Sequence, residues 1–138
     1  MPAGKVFLDA NILVYAQDHD SPAKRRRSRE VIAALAESGA GVISTQVLQE
    51  FYVTVTRKLG VAPLAAKSVL QTFKMFEIVQ ASPTLIEGAI DCSILNTISF
   101  WDALIVAAAA SSGCEVVYSE DLNPGQTIQG VRIENLLG

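Results

Sequence analysis

Apolar residues fall along the chain in two alternating rhythms. Compact apolar runs predict short buried strands at Lys5–Ala10 (KVFLDA), Gly41–Ser44 (GVIS), Glu77–Gln80 (EIVQ) and Glu115–Ser119, with Val131–Glu134 (VRIE) as a fifth at a sheet edge. Between them the spacing of three and four predicts helices. The first is short, Asn11–Gln17. The second runs from Pro22 to about Ser38, with Val31, Ile32 and Leu35 on one face. Thr45–Leu59 buries Val47, Leu48, Phe51, Tyr52 and Val55, and Pro63–Phe76 turns Leu64, Val69, Leu70 and Phe73 inward. A helix opening at Pro83 points Leu85, Ile86, Ala89, Ile90 and Ile94 inward, and Phe100–Ser112 is apolar almost throughout. Ser21 and Pro22 have the form of a helix start, and Gly39 and Gly41 of a helix end. Strands alternating with helices predict an α/β class: one domain, residues 1–138, with a short, mostly parallel sheet of four to five strands covered on both faces.

Composition narrows the classes. Of 138 residues, 50% are hydrophobic and 18% charged, as in a domain with a well-filled core. The apolar runs are too short to span a bilayer and no signal-peptide-length segment opens the chain, so a cytoplasmic protein without membrane contact is expected. Cys92 and Cys114 lie in apolar segments and read as buried free thiols rather than a disulfide framework or a metal knuckle. His19, the one histidine, cannot build a His-rich zinc site or paired-His acid/base machinery, and between Asp18 and Asp20 it reads as solvated. The net charge of −3 is unevenly spread: residues 1–74 carry ten Lys or Arg against six acids, residues 75–138 only Arg132 against eight. Local positive surface is therefore compatible with an acidic total.

Four acids fall where the strands of such a sheet end, the edge on which open α/β sheets bind ligands. Asp9 closes the first strand. Glu50 lies early in the helix after the second. Asp102 interrupts the apolar run Phe100–Ala110 near a helix N-terminus, where burying its charge is costly unless it is paired. Asp121 follows the fourth strand, with Glu120 beside it. Each alone reads as a cap, a turn residue or a solvated charge. Together they repel one another unless a cation neutralises them. Oxygen donors without histidine or thiolate select Mg2+ or Mn2+, as one or two ions, and phosphodiester hydrolysis is the chemistry such ions support.

The segments FLDANILVYA (7–16), STQVLQEFY (44–52), ISFWDALIVAAA (98–109) and VYSEDLNPG (117–125) resemble the PIN-domain nucleases, in particular the VapC-like toxin branch of toxin–antitoxin systems. The resemblance implies a Rossmann-like three-layer α/β/α fold and a metal-dependent endoribonuclease site with Asp9, Glu50, Asp102 and Asp121 as catalytic metal ligands. It further implies supporting roles for Asn11 and Ser119, an RNA substrate with transfer RNA a common target, a cognate antitoxin and a homodimer. The Ser-x-Asp spacing favours Asp121 over Glu120 as the fourth acid, although Glu120 can share or compete for that role. The chain departs from the family at its end, where Asn135–Leu136–Leu137–Gly138 stands in place of an Asn-Pro-Phe type sequence.

Two readings of the basic stretch Lys24–Arg29 stand equal: Arg25, Arg26 and Arg29 as an RNA-contacting face, or a solvated helix face with Arg26 opposite Glu30. Arg57 and Lys58 read as partners of a helix dipole. Two alternatives compete with the nuclease. A haloacid-dehalogenase-like phosphatase or receiver-type phosphotransfer domain also places Asp after its first strand, but both want a late lysine, and none follows Lys74. A PIN-like interaction module without catalysis would be expected to have lost acids that are all present here.

Overall fold

Val6, Phe7 and Leu8 are fully buried on both sides of their strand, as a sheet covered on two faces requires. With Lys5 they form β1 (Lys5–Leu8). The computed structural model describes residues 2–138. After β1 the chain forms α1 (Ala10–Tyr15), α2 (Pro22–Ser38), β2 (Gly41–Ser44), α3 (Thr45–Arg57), α4 (Pro63–Thr72), β3 (Glu77–Val79), α5 (Pro83–Asn96), α6 (Phe100–Ser111), β4 (Cys114–Tyr118), β5 (Thr127–Ile128) and β6 (Val131–Glu134).

The sheet has six strands in the order β3-β2-β1-β4-β6-β5, one more than the upper expectation. The extra strand, β5, is two residues long and pairs antiparallel with β6; every other pairing is parallel. Two residues leave no periodicity to detect. β6 is consequently an interior strand, and the edge belongs to β5. Strand order reverses between β1 and β4, which lie side by side with Leu8 opposite Tyr118. That switch point opens a crevice at the carboxyl ends of the two strands.

Three further expectations are corrected. β1 stops at Leu8 because Asp9 leaves the strand to cap α1. The helix expected over Pro63–Phe76 ends at Thr72 and continues as a 3-10 turn, Phe73–Met75, that delivers Phe73 and Phe76 to the core. Several residues expected inside lie outside. Leu64 is 78% exposed, Tyr52 37%, and Ile86, Ile90 and Ile94 form an exposed stripe along α5. The buried side of α5 is instead Ala89 and Cys92 with Leu85 half-buried, because its apolar arc, bounded by Glu87 and Asp91, is wider than the face its neighbour covers.

Other local expectations hold. Gly39 ends α2 in the left-handed conformation at φ 73°. Ser21 stands at the start of α2, though its side chain makes no capping bond. Cys92 and Cys114 are buried free thiols and His19 is exposed. No single helix among the described residues is long and apolar enough to cross a membrane.

Candidate active site at the strand switch point

Asp9 is where β1 turns into α1. Its backbone N–H donates to the Tyr118 carbonyl at 3.0 Å, which keeps it in line with β4. Its Oδ1 accepts from the Ala10 N–H at 2.7 Å, and its Oδ2 from the Ser119 hydroxyl at 2.7 Å and the Asn11 amide at 3.3 Å. At 6% exposure the carboxyl is pushed up to about 6, first by loss of hydration and then by the nearby charges of Glu50 and Asp121; the bonds from Ser119 and Ala10 oppose the rise.

Ser119 is fully buried and ties the switch point together. Besides donating to Asp9, its Oγ accepts the Asp121 N–H at 3.1 Å and the Leu122 N–H at 3.3 Å, so one hydroxyl sets the turn after β4. The Asn11 amide also donates to Asp121 Oδ2 at 3.2 Å, and its oxygen accepts the Glu120 N–H at 3.1 Å. Asp9, Asn11, Ser119 and Asp121 thus form one hydrogen-bonded group, drawn from the ends of β1 and β4.

Glu120 turns away from that group. Its carboxylate accepts from Tyr15 Oη at 2.7 Å and pairs with Lys24 Nζ at 2.7 Å. Burial raises the Glu120 carboxyl, but Lys24 and Tyr15 outweigh it, and the net position is below the usual glutamate range.

Glu50 stands one turn into α3, and Gln46 orients it. The Gln46 amide donates to Glu50 Oε1 at 2.8 Å and to the Trp101 carbonyl at 3.2 Å, joining α3 to the first turn of α6. Asp102 sits in that turn. Its N–H donates to the capping Ser99 hydroxyl at 3.1 Å, and among the described residues its carboxylate accepts no hydrogen bond. It is half-buried, so the full desolvation expected from its apolar neighbours does not occur: the first turn of α6 leaves it at the rim while Ala103 to Ala109 go inside.

Glu50, Asn11 and Asp121 line a groove of roughly 730 Å3 together with Tyr15, Gln46, Lys58 and Trp101. As the side chains stand, no three acids among the described residues surround one point closely enough to hold an ion. Two features fit a hard cation nevertheless. Buried Asp9 feels the charges of Glu50 and Asp121, an arrangement a cation would relieve. Gln46 Oε1 is buried beside Glu50 without a hydrogen-bond partner among the described residues, and an ion's water shell would supply one.

The basic residues of α2 lie off the groove. Arg29 Nε donates to the Ala16 carbonyl at 2.8 Å, Arg25 rests against His19, and Arg26 is exposed. Glu30 pairs with Arg27 at 3.6 Å rather than with Arg26. Lys58, expected only to complement a helix end, does cap α3 and also lines the groove. Gln46 and Trp101 were not singled out by the sequence. Gln46 precedes Glu50 by four residues on one helix, a spacing that could have found it. The Glu120–Lys24 pair links positions 96 apart, beyond any local pattern.

A family model for the PIN domain matches residues 6–126. No curated protein sequence matches the chain. Among solved structures, it is similar to the Mycobacterium tuberculosis VapC20, a Sarcin-Ricin loop cleaving toxin (18% identity, TM-score 0.70, covering 85% of this chain and 90% of that one). It is also similar to a DNA-bound VapBC from Salmonella typhimurium (21% identity, TM-score 0.68, 96% and 98%) and to a toxin–antitoxin complex from Klebsiella pneumoniae (20%, 0.69, 92% and 95%). At these identities the likeness is one of fold, and it extends over nearly the whole of each chain. With the model spanning most of its length, the chain belongs to the PIN domain family, and its fold is that of the VapC-type members.

Proposed function

We propose that this protein is a Mg2+- or Mn2+-dependent endoribonuclease and the toxin component of a type II toxin–antitoxin pair. The observation that carries the reading is the proximity of Asp9, Glu50 and Asp121 at the switch-point crevice, with Asp102 next to groove-lining Trp101 in the first turn of α6. These four carboxylates would hold one or two ions. Asp121 serves as the fourth acid because Glu120 is engaged by Lys24 and Tyr15. When bound, the metal supplies Lewis acidity toward the phosphodiester and activates water as the nucleophile. The chain's own residues prepare the site. Ser119 and Asn11 fix Asp9 and Asp121 in register, the Ala10 N–H holds the second Asp9 oxygen, and Gln46 holds one Glu50 oxygen.

RNA as substrate is supported by the likeness to the Mycobacterium Sarcin-Ricin loop cleaving toxin, and transfer RNA is the first target to test. A cognate antitoxin is supported by the relatives found as toxin–antitoxin complexes. A homodimer is supported by the exposed stripe Ile86, Ile90 and Ile94 with Leu95 on α5, an apolar face that a second copy would cover. Arg25, Arg26 and Arg29 would meet RNA outside the groove. The proposed compartment is the cytoplasm.

The deciding experiment is cleavage of total RNA by the wild type and Asp102→Asn, with Mn2+ present or chelated. Cleavage by the wild type only, and only with metal, is expected. Equal, metal-independent cleavage by both would refute the mechanism, and no metal-dependent cleavage with no ion binding would favour an interaction module.

A further inference from the structure

Trp101 is the chain's one tryptophan, and it is 63% exposed. An indole left in water forgoes most of the stabilisation its burial would bring, which makes its placement informative. It is also held in place. Its carbonyl accepts the Gln46 amide at 3.2 Å, and its ring meets Phe100 edge to face at 5.1 Å between centroids. Gln46, 5% exposed, is itself bonded to Glu50 at 2.8 Å. The Trp101 backbone is therefore tied to Glu50 through Gln46, Phe100 backs the indole, and Trp101 stands next to Asp102 in the same helical turn. It shares the groove with Glu50, Asn11 and Asp121, and Lys58 also lines it.

Resting on the ribonuclease reading, we propose that Trp101 is a stacking platform for an unpaired nucleobase next to the phosphate being cleaved, so that it selects RNA that is single-stranded at the cut. A phosphodiester that reaches the acids brings its neighbouring nucleosides against the groove wall, where the exposed indole of Trp101 stands; the other aromatic ring of the groove, Tyr15, is half-buried with Lys24 over it. Only a base out of its pair and stack can present its own face to it. The Gln46 bond holds the Trp101 backbone and the Phe100 ring packs against the indole, which lowers the entropy that stacking must still remove. Lys58 is within the same groove to meet an adjoining phosphate.

The single tryptophan makes the test direct. The full-length protein is titrated, with Ca2+ replacing the active metal, with a short single-stranded adenine-rich RNA and with the same strand in a duplex, reading tryptophan fluorescence. The single strand is expected to quench the signal and the duplex to leave it nearly unchanged. In steady-state cleavage Trp101→Ala and Trp101→Leu should weaken the reaction about ten-fold or more, mainly through KM, while Trp101→Phe recovers most of the loss. Leucine working as well as phenylalanine overturns the proposal, because an apolar contact then suffices. Unchanged fluorescence with an RNA that the enzyme still cleaves also overturns it, and if Trp101→Ala then alters only association with a protein, the indole is a protein contact. Quenching without metal-dependent cleavage upholds the platform while refuting catalysis, so the two readings fail separately.

Discussion

A carboxylate at 6% exposure loses most of its hydration, and Asp9 recovers part of it from three donors, the Ala10 N–H, the Ser119 hydroxyl and the Asn11 amide. The recovery is incomplete: burial first, then Glu50 and Asp121, leave the folded-state carboxyl at about 6 against 3.8 for the ordinary group. Between those values the folded protein binds more protons than the unfolded one, so this group's contribution to stability falls as pH rises. It is full below 3.8 and gone above about 6, a difference of about 3 kcal/mol. In metal-free protein, Asp9→Asn should therefore raise the melting temperature at about pH 7 and change it little at about pH 4, when followed by calorimetry. An equal effect at both would show that the charge of Asp9 is not what the fold strains against. Asp9, Glu50 and Asp121 were legible in the sequence because strand ends can be located from apolar runs. The hydrogen bonds that make them one site depend on Tyr118 lying beside Leu8, a pairing across more than a hundred residues that no local pattern encodes.

Elements differ in how firmly the sequence defines them. α3 separates its polar and apolar faces clearly, and most of its expected core residues are buried. α5 spreads its apolar residues over an arc wider than its neighbour covers, with Glu87 and Asp91 on the remaining side, so its existence was legible and its orientation was not. Gly41 was legible only as a helix terminator. In the structure it opens β2 under the Phe76 ring, whose carbons would lie 2.5 Å and 2.6 Å from an added Cβ. α6 bears most directly on the site, because its first turn carries both Trp101 and Asp102. Ser99 caps that turn by accepting the Asp102 N–H, and loss of such a cap costs about 1 kcal/mol. Ser99→Ala should lower the denaturation free energy by that amount and also reduce catalytic efficiency, since the fraying turn holds a proposed ligand. Ser99→Asp should retain the cap. Destabilisation without any change in catalysis would place Asp102 outside the working site.

For the whole molecule, the fold fixes where negative charge accumulates. The sheet order joins the first strand, from the half of the chain rich in Lys and Arg, to the fourth, from the acidic half, and their carboxyl ends meet at the groove. Lys24 reaches across from α2 to neutralise Glu120, but no lysine or arginine is paired with Asp9, Glu50, Asp102 or Asp121 among the described residues. An ion that binds there is linked to folding, because the unfolded chain scatters the four acids. At a hundred times its dissociation constant such an ion adds about 2.7 kcal/mol, which for a domain of this size raises the melting temperature by on the order of 10 °C. Protons compete for the same carboxylates, so the rise should be larger at about pH 7, where Asp9 is ionised, than at about pH 5, where it is mostly protonated. Asp9→Asn should abolish most of the response while remaining folded, and Glu120→Gln should preserve it, since Glu120 is turned toward Lys24. Melting curves of the three proteins with and without Mn2+ separate the assignments. A response lost in Glu120→Gln and kept in an Asp121→Asn variant would transfer the fourth position to Glu120.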